Sequence, residues 1–194
     1  MPQPPEQSGS SQTPTGQSPG DYPPVVALRT RFPDIALDPR ESVVRSRPTG
    51  TIIVTVPADR LDEVMAFLKD DPATRFDMLA DLTCVDYLTF PDLAPGRLGV
   101  TYGLLSTTHN RRLWIKVFVG EDRPNVPTMT KLWASANWLE REVFDMFGVV
   151  FDGHPDLRRI LTAPGMKHHP LRKDYPVTGL GEREALPVIR REDA

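Results

Sequence analysis

The chain has 194 residues, 39% of them hydrophobic, and a formal net charge of −3, which is enough for one domain with a buried core. This charge creates no broad cationic field, so nucleic acid is excluded as an electrostatically driven partner. Cys84 is the single cysteine, which excludes an intrachain disulfide and any iron–sulfur cluster or zinc ribbon ligated by cysteines of this chain alone.

The amino-terminal region is predicted to be a disordered tail. Residues 1–24 are rich in proline, serine, glutamine and glycine, which leaves too little apolar surface to offset the entropy of ordering. No apolar run approaches the roughly 20 residues that cross a bilayer, so membrane contact is expected only through partner proteins. The sequence gives no feature that requires a homo-oligomer. The single cysteine favours a reducing compartment such as the cytoplasm.

The next segments predict a helix, a β-hairpin and a second helix. A short helix over 25–32 must end before Pro33, because the proline ring disfavours helical geometry at the preceding residue. Alternating β-branched residues predict strands over 42–47 and 51–56. The second helix ends near Asp70 and is marked by apolar residues at helical spacing, namely Leu61, Val64, Met65 and Leu68.

Three further apolar segments predict the rest of a sheet. Strands are expected over 79–88, 98–106 and 113–119, and residues 107–112 are predicted to form a hairpin connection. Two helices among four or five strands, without strict alternation, indicate an α+β fold. We therefore expect a small antiparallel sheet with helices on one face, followed by a third helix and an extended carboxy-terminal arm.

The third helix is predicted over 135–147, at the start of a stretch that mixes acids, arginines and aromatics. Its core-facing stripe has three- and four-residue spacing and comprises Ala136, Leu139, Val143, Met146 and Phe147. A second face carries an indole, a guanidinium and two carboxylates, from Trp138, Arg141, Glu142 and Asp145. Arg141 and Asp145 are spaced for an i,i+4 ion pair. A large aromatic beside paired charges predicts a partner interface.

His154 lies in a Gly-His-Pro-Asp turn that begins at Gly153. The glycine permits an unusual backbone angle and the proline fixes the next one, so the turn should be stiff. A stiff turn could be a hydrogen-bonded corner that anchors Arg158 and Arg159, or it could hold a titrating group near a proton path. We favour the hydrogen-bonded corner.

Residues 162–194 show no periodicity and are predicted to form an extended arm that binds a partner. A proline-bounded run within the arm combines two cations and an aromatic, a composition suited to a groove of another protein: Leu171, Arg172, Lys173, Asp174 and Tyr175. The alternative is a mobile basic tail. The expected organisation is therefore a tail over 1–24, an α+β domain over 25–161 and this arm.

Known catalytic templates do not occur in the sequence. There is no Gly-x-Gly-x-x-Gly turn, phosphate-binding loop or His-Glu-x-x-His pair. Glu140, Glu142 and Asp145 lie on one helix, whereas hydrolases take their paired carboxylates from opposed walls of a cleft. Ion pairing with Arg141 is therefore predicted, with no catalytic residue, cofactor or metal in this chain. The four histidines and nearby acids leave a self-contained metal-dependent enzyme as an alternative.

Two motifs occur in a fixed order along the chain. The first comprises Glu140, Arg141 and Glu142, then Asp145, Met146 and Phe147, then His154, Arg158, Ile160 and Leu161. The second is the run Pro170, Leu171, Arg172, Lys173, Asp174, Tyr175 and Pro176. Together they resemble the signature of the 30-kDa-type subunit family of respiratory complex I, the NADH-quinone oxidoreductase. A weaker likeness extends over about 25–178, with local departures at His168 and Leu180.

The resemblance implies a non-catalytic scaffold subunit in the peripheral arm of a proton-translocating NADH:quinone oxidoreductase. Its chief partner would be the large quinone-site (49 kDa-type) subunit, while FMN and iron–sulfur clusters in other subunits would carry electrons from NADH to quinone. The chain would thus belong to a translocase and lie peripherally on the cytoplasmic side of the inner membrane. Homologous subunits of membrane-bound hydrogenases or ferredoxin-linked complexes are the alternatives within this lineage.

Overall fold

A five-stranded β-sheet forms the centre of the fold in the computed structural model, which describes residues 18–44, 47–90 and 94–181. Its strands, in chain order, are β1 (Asp38–Val44), β2 (Arg47–Thr55), β3 (Met78–Asp86), β4 (Leu98–Ser106) and β5 (Arg111–Val119). Their spatial order is β1-β2-β5-β4-β3. A separate parallel pair joins β6 (Asn125–Pro127) to β7 (Val150–Asp152). The sequence did not predict this pair, because three-residue strands carry too little alternation to be detected.

The helices bury their apolar sides in one core with one face of this sheet. They are α1 (Pro23–Arg31), α2 (Leu61–Asp70) and α3 (Ala136–Phe147). The buried residues of α2 are those of the predicted stripe, Leu61, Val64, Met65 and Leu68. They share a core cluster with alternate residues of the central strands, such as Leu113, Ile115 and Val117 of β5. The prediction of an α+β fold with helices on one face is confirmed.

The sheet is mixed, whereas the sequence predicted an antiparallel one. Strands β2 and β5 run parallel, with Ile53 opposite Trp114 and Val54 opposite Ile115. The other three ladders of this sheet are antiparallel. A parallel pair needs a long crossover, which α2, β3 and β4 provide between β2 and β5. The antiparallel prediction is wrong for this ladder because alternation in a strand indicates which side chains are buried, not the direction of the neighbouring strand.

Helix α3 has nearly the predicted bounds and ends at Gly148, whose N–H donates to the carbonyl of Phe144 over 2.9 Å. Gly148 has a φ of 77°, and a Cβ there would lie 2.6 Å from Nε2 of His169, so both backbone and space require glycine. The predicted core stripe is buried at Ala136, Val143, Met146 and Phe147, with Leu139 partly buried.

Both ends of the described chain differ from the predicted boundaries. Residues 18–24, assigned to the disordered tail, instead form a 3-10 turn (Pro19–Asp21) and the first residues of α1. Tyr22 is buried, and its hydroxyl donates to the carbonyl of Arg112 over 3.0 Å. Residues 1–17 of the predicted tail and 182–194 of the predicted arm lie outside the described residues.

Candidate functional site

The carboxylate of Asp145 organises the loop that follows β7. Its oxygens accept the backbone N–H groups of Ile160, Leu161 and Thr162 over 3.0, 2.8 and 2.9 Å, and Nη1 of Arg159 over 2.7 Å. The hydroxyl of Thr162 donates to it as well. Burial alone would raise the pKa of Asp145, but the bonds from Thr162, Leu161 and Arg159 outweigh burial and hold this pKa well below its usual range.

Arg141 does not form the predicted ion pair with Asp145. Its Nε donates to the carbonyl of Arg158 over 3.0 Å, and its Nη2 donates to the carbonyl of Arg159 over 3.5 Å. Its guanidinium lies 4.9 Å from the ring centroid of Trp138. The ion-pair prediction is wrong because three loop N–H groups and Arg159 surround the Asp145 carboxylate, so the arginine one turn earlier supports the same loop through its carbonyls.

Glu140 is fully buried and holds the segment after β6. Its Oε1 accepts the N–H of Met129 over 2.6 Å, and its Oε2 accepts the hydroxyl of Thr128 over 2.5 Å. Burial raises the pKa of Glu140 to about 7, although both hydrogen bonds favour the ionised form. This carboxyl group is therefore held inside the protein and does not face a substrate cleft.

Both ring nitrogens of His154 make hydrogen bonds within its turn and to α3. The N–H of Asp156 donates to Nδ1 over 3.0 Å, so the ring proton belongs on Nε2, which lies 3.1 Å from the carbonyl of Asn137. Nε2 is also 3.9 Å from Oε2 of Glu140. These contacts are those of the hydrogen-bonded corner that the sequence favoured.

A third buried carboxylate, that of Asp86 at the end of β3, was not singled out in the sequence. It accepts Nε and Nη2 of Arg97 over 3.2 and 3.1 Å and the N–H groups of Leu88 and Lys173, each over 2.9 Å. Arg97 also pairs with Asp174 over 2.8 Å. Burial opposes ionisation of Asp86, but the Arg97 bonds and the backbone donors lower its pKa. Asp86 and Arg97 therefore tie the second motif to the sheet.

The second motif also caps the carboxy-terminal end of α3. Nδ1 of His169 donates to the carbonyl of Asp145 over 2.9 Å, the N–H of Leu171 donates to Met146 over 3.1 Å, and Nε of Arg172 donates to Phe147 over 2.6 Å. These bonds satisfy carbonyls that a helix end leaves unpaired. Residues 169–174 therefore pack on their own domain, whereas the sequence predicted that they belong to an extended arm that binds a partner.

The predicted interface residues separate into a buried group and an exposed group. Glu140, Arg141 and Asp145 are buried and make the internal bonds described above. The exposed side chains are those of Trp138, Glu142, Arg158, Leu171, Lys173 and Asp174, while Arg159 and Tyr175 are half-buried. Trp138 is 64% exposed although Arg141 stacks on its ring. Leu161, which the sequence placed in the first motif but not at the interface, is 63% exposed.

Among the described residues, no three His, Cys, Asp or Glu side chains come together in an arrangement that could hold a metal ion. None of the helices in residues 18–44, 47–90 and 94–181 is both long and apolar enough to cross a membrane.

Residues 54–180 match the family model described as "Respiratory-chain NADH dehydrogenase, 30 Kd subunit". The chain is 49% identical over 148 residues to NADH-quinone oxidoreductase subunit 5 of Thermus thermophilus, covering 74% of this chain and 67% of that protein. An NADH-quinone oxidoreductase subunit of Cupriavidus taiwanensis is 47% identical over 146 residues, covering 74% of this chain and 73% of that one.

Two solved structures have a similar fold. A trypsin-resistant fragment of Nqo5 superposes with a TM-score of 0.57 at 40% identity, covering 68% of this chain and 96% of the fragment. A chain of the membrane-bound sulfane sulfur reductase, an archaeal respiratory membrane complex, superposes with a TM-score of 0.61. That match covers 79% of this chain and 84% of the other at 23% identity, so it concerns the fold alone.

Proposed function

Because the chain belongs to the family of the 30 kDa subunit of respiratory-chain NADH dehydrogenase, we propose that it is a non-catalytic scaffold of the peripheral arm of that complex. In this proposal it packs on the large quinone-site subunit, on the cytoplasmic side of the inner membrane. FMN and iron–sulfur clusters of other subunits carry the electrons from NADH to quinone. The enzyme class is that of the whole proton-translocating complex.

The observation that carries the scaffold role is that Arg141 of the first motif makes internal bonds and supports one exposed aromatic, Trp138, on the same helix. Arg141 is held by two carbonyls of the following loop and stacks on Trp138, so the indole is supported from beneath while most of its surface is exposed. A rigid exposed tryptophan loses little conformational entropy on binding and is typical of an interface anchor. We therefore assign Trp138 as the main contact to the large subunit.

The contacts of the acidic residues support a non-catalytic role for this chain. Asp86, Glu140 and Asp145 all accept backbone N–H groups, and each holds a separate segment of the fold. A general acid or base must instead reach a reacting group in a cleft. These three carboxylates therefore serve to stabilise the structure that presents the interface.

The experiment is co-expression of the full chain with the large quinone-site subunit, followed by affinity purification and a binding measurement. Trp138→Ala should weaken binding by about 2 kcal/mol or more, roughly 30-fold in Kd, because a buried aromatic anchor is lost. The matched control is Phe90→Ala, since Phe90 is also an exposed aromatic, at 56%, but lies in the turn after β3. Both variants should melt like the unmodified chain.

Two outcomes would count against this proposal in different ways. If the unmodified chain does not recover the large subunit, the scaffold role is wrong. If it does, and Trp138→Ala binds as well as Phe90→Ala, the scaffold role survives but the anchor lies elsewhere. NADH-dependent quinone reduction by the whole complex, purified from its native membrane through this chain, would separate this assignment from the hydrogenase and ferredoxin-linked alternatives.

A further inference from the structure

A cleft of about 230 Å³ opens beside the second motif, on the surface that follows α3. Its walls carry cationic and aromatic side chains, from Lys167, His168, His169, Arg172 and Tyr175. The volume lies below the roughly 300–1,000 Å³ of typical cofactor pockets. It is large enough for one or two side chains of another protein. The chemistry of the walls then indicates which side chains would fit.

The part of the cleft wall formed by His169 and Arg172 is fixed before any ligand binds. Nε of Arg172 is bonded to the Phe147 carbonyl at the end of α3, and the N–H of Lys173 is bonded to the buried Asp86 carboxylate. His169 is fixed through Nδ1 to the Asp145 carbonyl. A ligand would therefore meet a preformed surface and would not have to order it, which favours affinity.

Cations of the cleft are left without acidic partners inside the described chain. Asp174 is the carboxylate of the lining, and it is already paired with Arg97 over 2.8 Å. Within residues 18–44, 47–90 and 94–181, no hydrogen bond or ion pair is made by the Lys167 ammonium or by the two Nη nitrogens of Arg172. Two positive groups with free donors thus line one concave surface, which favours an anionic ligand.

We propose that this cleft receives a carboxylate side chain from an acidic segment of the large partner subunit, bound by Lys167 and the Nη groups of Arg172. The proposal rests on the scaffold role above. A peptide is favoured over a free anion because the lining of the cleft includes an apolar side chain that a peptide would also cover: Leu180 is 54% exposed. Arginine paired with carboxylate inside such a surface provides both orientation and specificity.

The first test identifies the acidic group directly. The complex of the full chain with the large subunit is treated with a zero-length carbodiimide, which joins a lysine amine to a carboxylate only when they are in contact, and the crosslinked peptides are identified by mass spectrometry. Lys167 should be joined to an Asp or Glu of the large subunit. A crosslink from Lys167 only to an acid of its own chain, such as Glu182 or Glu184, or no crosslink at Lys167, would overturn the proposal.

The second test measures the energetic effect with a matched control. Lys167→Glu should weaken binding of the large subunit roughly tenfold at low salt, and the loss should shrink as ionic strength rises. Arg112→Glu is the control, because Arg112 is an exposed cation of β5. It lies opposite Leu105 of β4 in the sheet, whereas Asp86 lies opposite Leu98 at the other end of β4. This control should change Kd by less than about twofold.

The two proposals fail in distinguishable ways. If the unmodified chain does not bind the large subunit, the scaffold role and the cleft assignment both fall. If it binds, and Lys167→Glu behaves like Arg112→Glu at every salt concentration, only the cleft assignment falls.

Discussion

Three buried carboxylates, those of Asp86, Glu140 and Asp145, show how single residues hold distant parts of this chain together. Each accepts backbone N–H groups from a segment remote in sequence, and Asp86 reaches Lys173 across a separation of 87 residues. They differ in charge balance, because Asp86 and Asp145 each have an arginine partner, whereas the direct bonds of Glu140 come from neutral donors. Burial raises the pKa of Glu140, whereas the hydrogen bonds to Asp86, chiefly from Arg97, and to Asp145, chiefly from Thr162 and Leu161, outweigh burial and lower their pKa values.

Replacing Asp145 with asparagine should destabilise the fold strongly. The change leaves Arg159 without its counter-ion and weakens three backbone hydrogen bonds, so we expect a loss of about 3 kcal/mol in the free energy of unfolding. Asp156→Asn is the matched control, because Asp156 pairs with Arg158 on the surface and should contribute less than about 1 kcal/mol. Urea denaturation of both variants at pH 7 measures the difference.

The same residue gives a pH dependence with a definite sign. The folded pKa of Asp145 is lowered from its ordinary 3.8, so its contribution is present above that value and is lost as the pH falls. The unmodified chain should therefore lose more stability on acidification below about pH 4 than Asp145→Asn does. Equal losses in the two proteins would show that the carboxylate is not the group responsible.

Glu140 should have the opposite pH dependence. Its folded pKa is raised from 4.5 to about 7, so its contribution to stability is present below pH 4.5 and is lost as the pH rises towards 7. Glu140→Gln cannot ionise, and its side-chain amide can donate to the Thr128 hydroxyl, which in the unmodified chain donates to Glu140. Relative to the unmodified chain, it should therefore gain stability between pH 5 and pH 8, by a few kcal/mol at most.

The measurement for Glu140 compares unfolding free energies at these two pH values. Glu142→Gln is the control, because Glu142 is exposed on the same helix, α3. A difference between Glu140→Gln and the unmodified chain that is the same at both pH values would contradict the assigned ionisation.

Among the secondary structure elements, α3 and the second motif depend on each other. The helix leaves its last carbonyls unpaired, and residues 169–172 provide the donors that satisfy them. The first motif positions these carbonyls and the second caps them, so the two motifs form one structural unit. The exposed side chains at this unit, among them Trp138, Leu161 and Leu171, are consequently held on a rigid support.

Removing the Asp86 side chain should release the second motif without unfolding the sheet. In Asp86→Ala, the N–H of Lys173 and the guanidinium of Arg97 lose their shared acceptor, so residues around Arg172 should open more often. Trypsin cleavage after Arg172 in the isolated chain should then become several-fold faster. Asp81→Ala is the control on the same strand, because among the described residues the Asp81 carboxylate accepts only the adjacent N–H of Leu82. Equal cleavage rates would show that Asp86 does not hold the motif.

At the scale of the whole molecule, the isolated chain is expected to be colourless and redox-silent. Its one cysteine, Cys84, is buried, and burial raises the pKa of this thiol to about 12, so it is a poor metal ligand or nucleophile. The purified chain should show no visible absorption band that NADH can reduce. The assembled peripheral arm provides the positive control, and stoichiometric zinc or iron in the isolated chain would favour the metal-dependent enzyme instead.

The sequence by itself determined the amphipathic helices, the strands of the α+β core and the family to which the two motifs belong. These features depend on local spacing, since a stripe such as Leu61 to Leu68 or the arrangement from Glu140 to Leu161 is complete within one segment. Only the tertiary structure decided that β2 and β5 are parallel, that Asp145 pairs with Arg159 rather than Arg141, and that Asp86 binds the second motif. The physical reason is that each of these contacts depends on a partner that folding brings close. The partner of a charged side chain is set by the donors that surround it in the folded chain, and not by the number of residues between the two along a helix.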